Sequence, residues 1–101
     1  MKIILVCSAG MSTSMLVNKM IKSAEERGLE VNIKAVAESD LKNNLDGLDV
    51  VLIGPQVRYL EKQIKAQVEP LGIKATIIDQ IAYGMMQGNK VLDQAIELKN
   101  N

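Results

Sequence analysis

Four strand-like apolar runs alternating with helical patterns predict a single α/β domain: a four-stranded parallel sheet with helices on both faces, in three layers. Three observations carry this. Residues 2–6 (Lys-Ile-Ile-Leu-Val) and 49–53 (Asp-Val-Val-Leu-Ile) are apolar runs rich in β-branched types, the mark of strands buried on both faces. Each strand-like run is followed by apolar residues at helical spacing. No linker, repeat or low-complexity stretch divides the 101 residues, a length that suits one core, so the predicted domain spans residues 1–101.

The elements follow in order. After the strand at residues 2–6, Leu16, Val17, Met20, Ile21 and Ala24 recur at helical spacing over about residues 12–27, with Gly28 as the C-terminal stop. Residues 31–36 alternate apolar and polar, as a half-exposed strand at a sheet edge does. Ser39 or Asp40 is expected to cap a short helix ending near Leu45, before the Asp46-Gly47 turn. The strand at 49–53 is closed by Gly54-Pro55. A helix is expected from about 57 to 68, with Leu60, Ile64 and Val68 on one face, ending near Pro70. Residues 75–78 are the fourth strand. A loop through Tyr83-Gly84 leads to a last helix, about 88–99, with Val91, Leu92, Ala95 and Ile96 facing inward. The two most apolar strands belong in the centre and the alternating one at an edge, which gives the order 2-1-3-4. In that order the chain reverses direction between the first and third strands, and ligands bind in the crevice beyond their carboxyl ends.

Composition narrows the function. Twelve Lys and Arg balance twelve Asp and Glu, so no overall field steers the chain to nucleic acid or a membrane surface. No apolar run approaches the ~20 residues of a membrane span, and the start, Met1-Lys2 running into a strand, has no signal-peptide profile. The expectation is a cytoplasmic protein that is not itself membrane-inserted. Its one cysteine suits a reducing compartment. There is no histidine, which excludes a histidine base, a phosphohistidine and an ordinary zinc site on this chain. There is no Phe or Trp to wall a pocket for a sugar or nucleotide, and neither metal nor cofactor is implied.

The cysteine is the informative residue. Cys7 stands where the first strand runs into Ser8-Ala9-Gly10-Met11-Ser12-Thr13-Ser14 and then a helical pattern. A thiol there is aimed at a helix N-terminus, whose unpaired N–H groups and dipole stabilise anions. The reading is a phosphate-handling cysteine. Residues 8–14 are the candidate phosphate ligands, through backbone N–H groups with the hydroxyls of Ser8, Ser12, Thr13 and Ser14 auxiliary; at least one of Ser12, Thr13 and Ser14 is expected to act as a helix cap. Gly10 is the residue best able to take the backbone angles of such a nest. A cysteine phosphatase would have C-x-x-x-x-x-R, with the arginine clamping two phosphoryl oxygens. This chain has Thr13 there.

Leu5-Val6-Cys7-Ser8-Ala9-Gly10-Met11-Ser12-Thr13-Ser14, together with Ile53-Gly54-Pro55-Gln56-Val57 and Tyr83-Gly84, resembles the enzyme IIB components of the bacterial sugar phosphotransferase system, lactose/cellobiose/chitobiose class. The resemblance runs over essentially the whole chain. It implies a fold like that of the low-molecular-weight tyrosine phosphatases. It also implies that Cys7 takes a phosphoryl group from a phosphohistidine on a IIA component and passes it to a β-glucoside or disaccharide-type sugar held by a membrane-embedded IIC component. Two rival readings remain: a cysteine phosphatase or arsenate reductase on the same loop, and an interaction domain with a buried structural thiol. The absent arginine speaks against the phosphatase and the absent second cysteine against an intramolecular reductase. The interaction domain leaves the hydroxyl-rich loop unexplained.

Further residues fall on the predicted active edge. Met11, Pro55, Arg58 and Tyr83 are candidate partner-interface residues. Met11 reads equally as interface or core, whereas Met15, Met85 and Met86 read as core filling. Arg58 reads either as a cation replacing the absent loop arginine or as a solvated first-turn residue. Asp79 reads as a loop cap rather than a general acid, because the tyrosine phosphatases have Asp-Pro where this chain has Asp79-Gln80.

Overall fold

The computed structural model describes residues 1–7 and 11–101, positions 11 and 12 by their place in a helix. Strands β1 (Lys2–Val6), β2 (Asn32–Val36), β3 (Val50–Ile53) and β4 (Lys74–Ile77) form one parallel sheet in the order β2-β1-β3-β4. The register is level at the carboxyl ends: Val6 pairs with Val36 and with Ile53, and Ile53 pairs with Ile77. The residues just past those ends therefore share one edge of the sheet. β1 and β3 occupy the centre, and every residue of β3 is buried.

Period-two alternation divides the central strands between two cores. Ile3, Leu5, Val50 and Leu52 face one side, where they meet Leu16, Met20 and Ala24 of α1 (Met11–Glu26) and Val91, Leu92 and Ala95 of α4 (Gly88–Asn100). Ile4, Val6, Val51 and Ile53 face the other, where they meet Leu41, Val57, and Ile64 and Val68 of α2 (Glu61–Val68). The β1-to-β2 connection thus crosses one face, and both later connections between strands cross the opposite one. Right-handed crossovers require that swap when the direction of travel along the sheet reverses. The three-layer architecture and the strand order are those read from the sequence.

Several boundaries differ for local reasons. The stretch expected as a short helix after β2 is a 3₁₀ segment, Glu38–Asn44, with Ala37 and neither Ser39 nor Asp40 at its cap. Asp40 lies inside it and accepts from the side-chain amide of Asn43 at 2.9 Å, while Leu41 is buried. The helix expected over 57–68 opens as a 3₁₀ segment, Pro55–Leu60, in which buried Val57 departs from helical angles (φ −116°, ψ 29°), and only then becomes α2. β4 begins one residue earlier than predicted. The expected loop at Tyr83-Gly84 is a short helix, α3 (Gln80–Gly84).

α4 enters against α1 at Gly88, where a Cβ would stand 2.6 Å from the Lys19 carbonyl carbon and 2.7 Å from the Met20 nitrogen. Both are backbone atoms, so the contact cannot be relieved by a rotamer change. Gly88→Ala is expected to separate the two helices and cost about 1–3 kcal/mol. A thermal melt would read this as a Tm lower by roughly 4–8 °C for each kcal/mol.

Candidate active site

Cys7 is the first residue beyond β1. Its N–H donates to the Val36 carbonyl at 3.1 Å, continuing the β1–β2 ladder, and its Sγ lies 4.0 Å from the same oxygen, a weak contact at most. The residue is 5 % exposed, so the thiol is buried just past the end of a central strand.

Gly54 closes β3 beside it and donates its N–H to the Val6 carbonyl at 2.8 Å. A Cβ at position 54 would fall 3.6 Å from the Cys7 Cβ, 3.3 Å from the Val6 oxygen and 3.0 Å from Gln56 Oε1. Glycine thus leaves the space beside the cysteine open, and the Gln56 amide folds back over it. Gln56 was not singled out from the sequence, although its place two residues past a central strand, at the point where strand order reverses, was a usable signal.

Three residues join Cys7 to α1, which begins at Met11. The predicted ligands Ser8, Ala9 and Gly10 lie outside the described residues, as do the side chains of Met11 and Ser12. Ser14 is exposed. Thr13 is only 3 % exposed, and its hydroxyl lies 3.4 Å from the Tyr83 hydroxyl, across 70 positions of sequence. Thr13 thus sits as a buried side chain tied to another element.

Tyr83 is held there by a built scaffold. Asp79 is the N-cap of α3, its Oδ2 accepting the Ala82 N–H at 2.9 Å. The Gln94 side chain of α4 accepts the Asp79 N–H at 2.9 Å and donates to the Ile77 carbonyl at 2.8 Å. Asp79 is therefore a capping residue, as its sequence context suggested.

The remaining candidates ring this edge. Pro55 is half-buried at the start of its 3₁₀ segment, and Arg58 is exposed with no ion pair among the described residues. Met15 and Met85 are 54 % and 66 % exposed, which corrects the expectation that they fill the core. The inward stripe of α1 runs through Leu16, Met20 and Ala24, as the helical spacing of the sequence has it, and Met15 lies outside that stripe. Met86 does pack against the α1 and α4 side. Ile81 and Tyr59, 69 % and 76 % exposed, add to the apolar surface of the segments beyond the carboxyl ends of the strands. Among the described residues no helix is long and apolar enough to cross a membrane, and no group of three or more His, Cys, Asp or Glu is placed to hold a metal ion.

Comparison with known proteins accords with this geometry. Residues 2–94 match the family model described as PTS system, Lactose/Cellobiose specific IIB subunit. The oligo-beta-mannoside-specific EIIB component of Bacillus subtilis (strain 168) is 42% identical over 100 residues, covering 99% of this chain and 97% of that protein. The solution structure of the cellobiose-specific phosphotransferase IIB component from Borrelia burgdorferi superposes with a TM-score of 0.83 at 46% identity, over 100% of this chain and 93% of that one. The lactose-specific EIICB component of Streptococcus mutans serotype c is 32% identical over 81 residues, 80% of this chain but 14% of that longer protein.

Proposed function

We propose, because this chain belongs to the lactose/cellobiose-specific IIB subunit family of the PTS system, that it is a cytoplasmic phosphocarrier and that Cys7 is the residue phosphorylated. IIB components of this family are phosphotransferases, and they work with a IIC component, to which one relative is fused. The observation that carries the finer reading is the position of the lone thiol. It stands at the carboxyl end of β1, beside Gly54, with helix α1 starting four residues later, in a chain without histidine.

In the first transfer the Cys7 sulfur attacks the phosphorus of a phosphohistidine on a IIA partner. An S–P bond forms, the N–P bond breaks, and the imidazole nitrogen keeps its electron pair and takes up a proton in exchange for the one the thiol gives up. In the second, a hydroxyl oxygen of the sugar attacks the same phosphorus and gives up its proton, an O–P bond forms, the S–P bond breaks, and sulfur regains the pair and takes up a proton in exchange. The sugar is a disaccharide of the cellobiose or β-glucoside kind, held by the IIC partner. Backbone N–H groups of residues 8–14 are the natural ligands for the phosphoryl oxygens in both steps. The exposed side chains of Met15, Tyr59, Ile81 and Met85, with Pro55 and Arg58, offer a surface on which two proteins dock in turn.

The test is reconstitution. With phosphorylated IIA, IIC in membrane vesicles and cellobiose, sugar phosphate should accumulate only when this chain is added. Accumulation without it, or release of inorganic phosphate in its place, would contradict the carrier reading.

A further inference from the structure

We infer that Tyr83 is a positioning residue for phosphoryl transfer, acting by orienting the Thr13 hydroxyl; this rests on the proposal that Cys7 carries the phosphoryl group. Thr13 is polar and almost wholly buried in the first turn of α1, and its hydroxyl lies 3.4 Å from the Tyr83 phenol oxygen. A threonine hydroxyl has one proton and can accept two hydrogen bonds. Either hydroxyl of this pair can be the donor, and when the phenol donates to Thr13 Oγ1 the threonine proton is left free for another acceptor. A phosphoryl oxygen is such an acceptor, and a hydrogen bond to a charged oxygen is worth about twice a neutral one. Thr13 stands where a cysteine phosphatase places its clamping arginine, so a single oriented hydroxyl replaces a guanidinium at that point of the loop.

The anchoring of the short helix that carries Tyr83 supports the inference. α3 is only five residues long, yet it is fixed by the Asp79 cap and by Gln94, which bridges Asp79 and Ile77. The Tyr83 N–H also donates to the Asp79 carbonyl at 2.9 Å. A side chain that only filled space would not need its tip fixed against a second hydroxyl.

A double-mutant cycle tests this. Tyr83→Phe removes the phenol oxygen at nearly constant shape and should lower kcat for transfer from phosphorylated IIA roughly fivefold, with little change in KM. Thr13→Val should cost roughly tenfold, and Thr13→Ser should restore most of it. In the Thr13→Val background Tyr83→Phe should have no further effect, because the phenol acts only through the hydroxyl. The phosphorus NMR shift of the phosphorylated protein should move in both single variants and not further in the double. Undiminished loss from Tyr83→Phe when Thr13 is valine, or wild-type kcat for Tyr83→Phe, overturns the inference. Failure of the wild-type chain to accept a phosphoryl group from IIA would instead sink the carrier reading, so the two failures are distinguishable.

Discussion

Cys7→Ser is expected to reduce sugar phosphorylation to background, a fall of at least about a thousandfold, while leaving the fold intact. The hydroxyl is nearly isosteric with the thiol, and the contacts that fix this residue come from its backbone: the N–H bond to Val36 at 3.1 Å and the strand pairing of Val6 just before it. Among the described residues, the one hydrogen-bond contact of Sγ that changes is the weak 4.0 Å approach to that same carbonyl. Chemically the change is large. A serine hydroxyl is a weak nucleophile without a base beside it, and the chain has no histidine to act as one. Circular dichroism and a thermal melt should match the wild type, whereas the reconstituted relay should be silent. Retained transfer by the serine variant would mean that the phosphoryl group travels on another residue.

Thr13→Arg is expected to turn the carrier partly into a hydrolase. A guanidinium at this point of the loop can hold two phosphoryl oxygens and offset charge as sulfur departs, so phosphocysteine should hydrolyse roughly two- to tenfold faster. Transfer to the sugar should suffer more. The Thr13 site is 3 % exposed and closed by the Tyr83 phenol at 3.4 Å, so an arginine side chain must displace that ring and disturb the turn that meets the cysteine loop. Misplacement of a reacting group by about 1 Å can cost on the order of 100-fold, and a loss of that size is expected here. The hydrolytic gain stays modest because the nearest carboxylate considered for a general acid, Asp79, is engaged with the Ala82 N–H at the cap of α3. Mass spectrometry of the phosphorylated variant without acceptor measures its lifetime. An unchanged or longer lifetime in a folded variant would mean that the absent arginine is not what protects the intermediate.

The central strands were legible because burial on both faces leaves no room for a polar residue, and Ile-Ile-Leu-Val and Val-Val-Leu-Ile record that directly. Their order followed from the alternation of β2, and the placement of Cys7 followed from the order. What was not legible depends on contacts between distant positions or on short-range choices that similar patterns permit. The spacing of Leu60, Ile64 and Val68 suits a helix, but it carries no sign that buried Val57 draws the chain into a 3₁₀ entry after Pro55. β4 begins at a half-exposed lysine, Lys74, whose long stem lets a charged residue join an edge strand. Tyr83 looked like a loop residue because Asp79 caps a helix too short to leave a periodic signature. Its meeting with Thr13 joins two elements far apart in sequence, and no local pattern encodes that. Met15 and Met85 misled for a different reason: methionine marks cores and adaptable surfaces alike.

The most direct measurement is the intact mass of the chain after incubation with phosphorylated IIA, followed by peptide mapping and a chase with IIC and cellobiose. A carrier acquires one phosphoryl group, maps it to Cys7, keeps it when no acceptor is present, and loses it in step with the appearance of sugar phosphate. Free inorganic phosphate released without acceptor, a phosphoryl group on any other residue, or no gain in mass would contradict the assignment of Cys7 as the phosphoryl carrier.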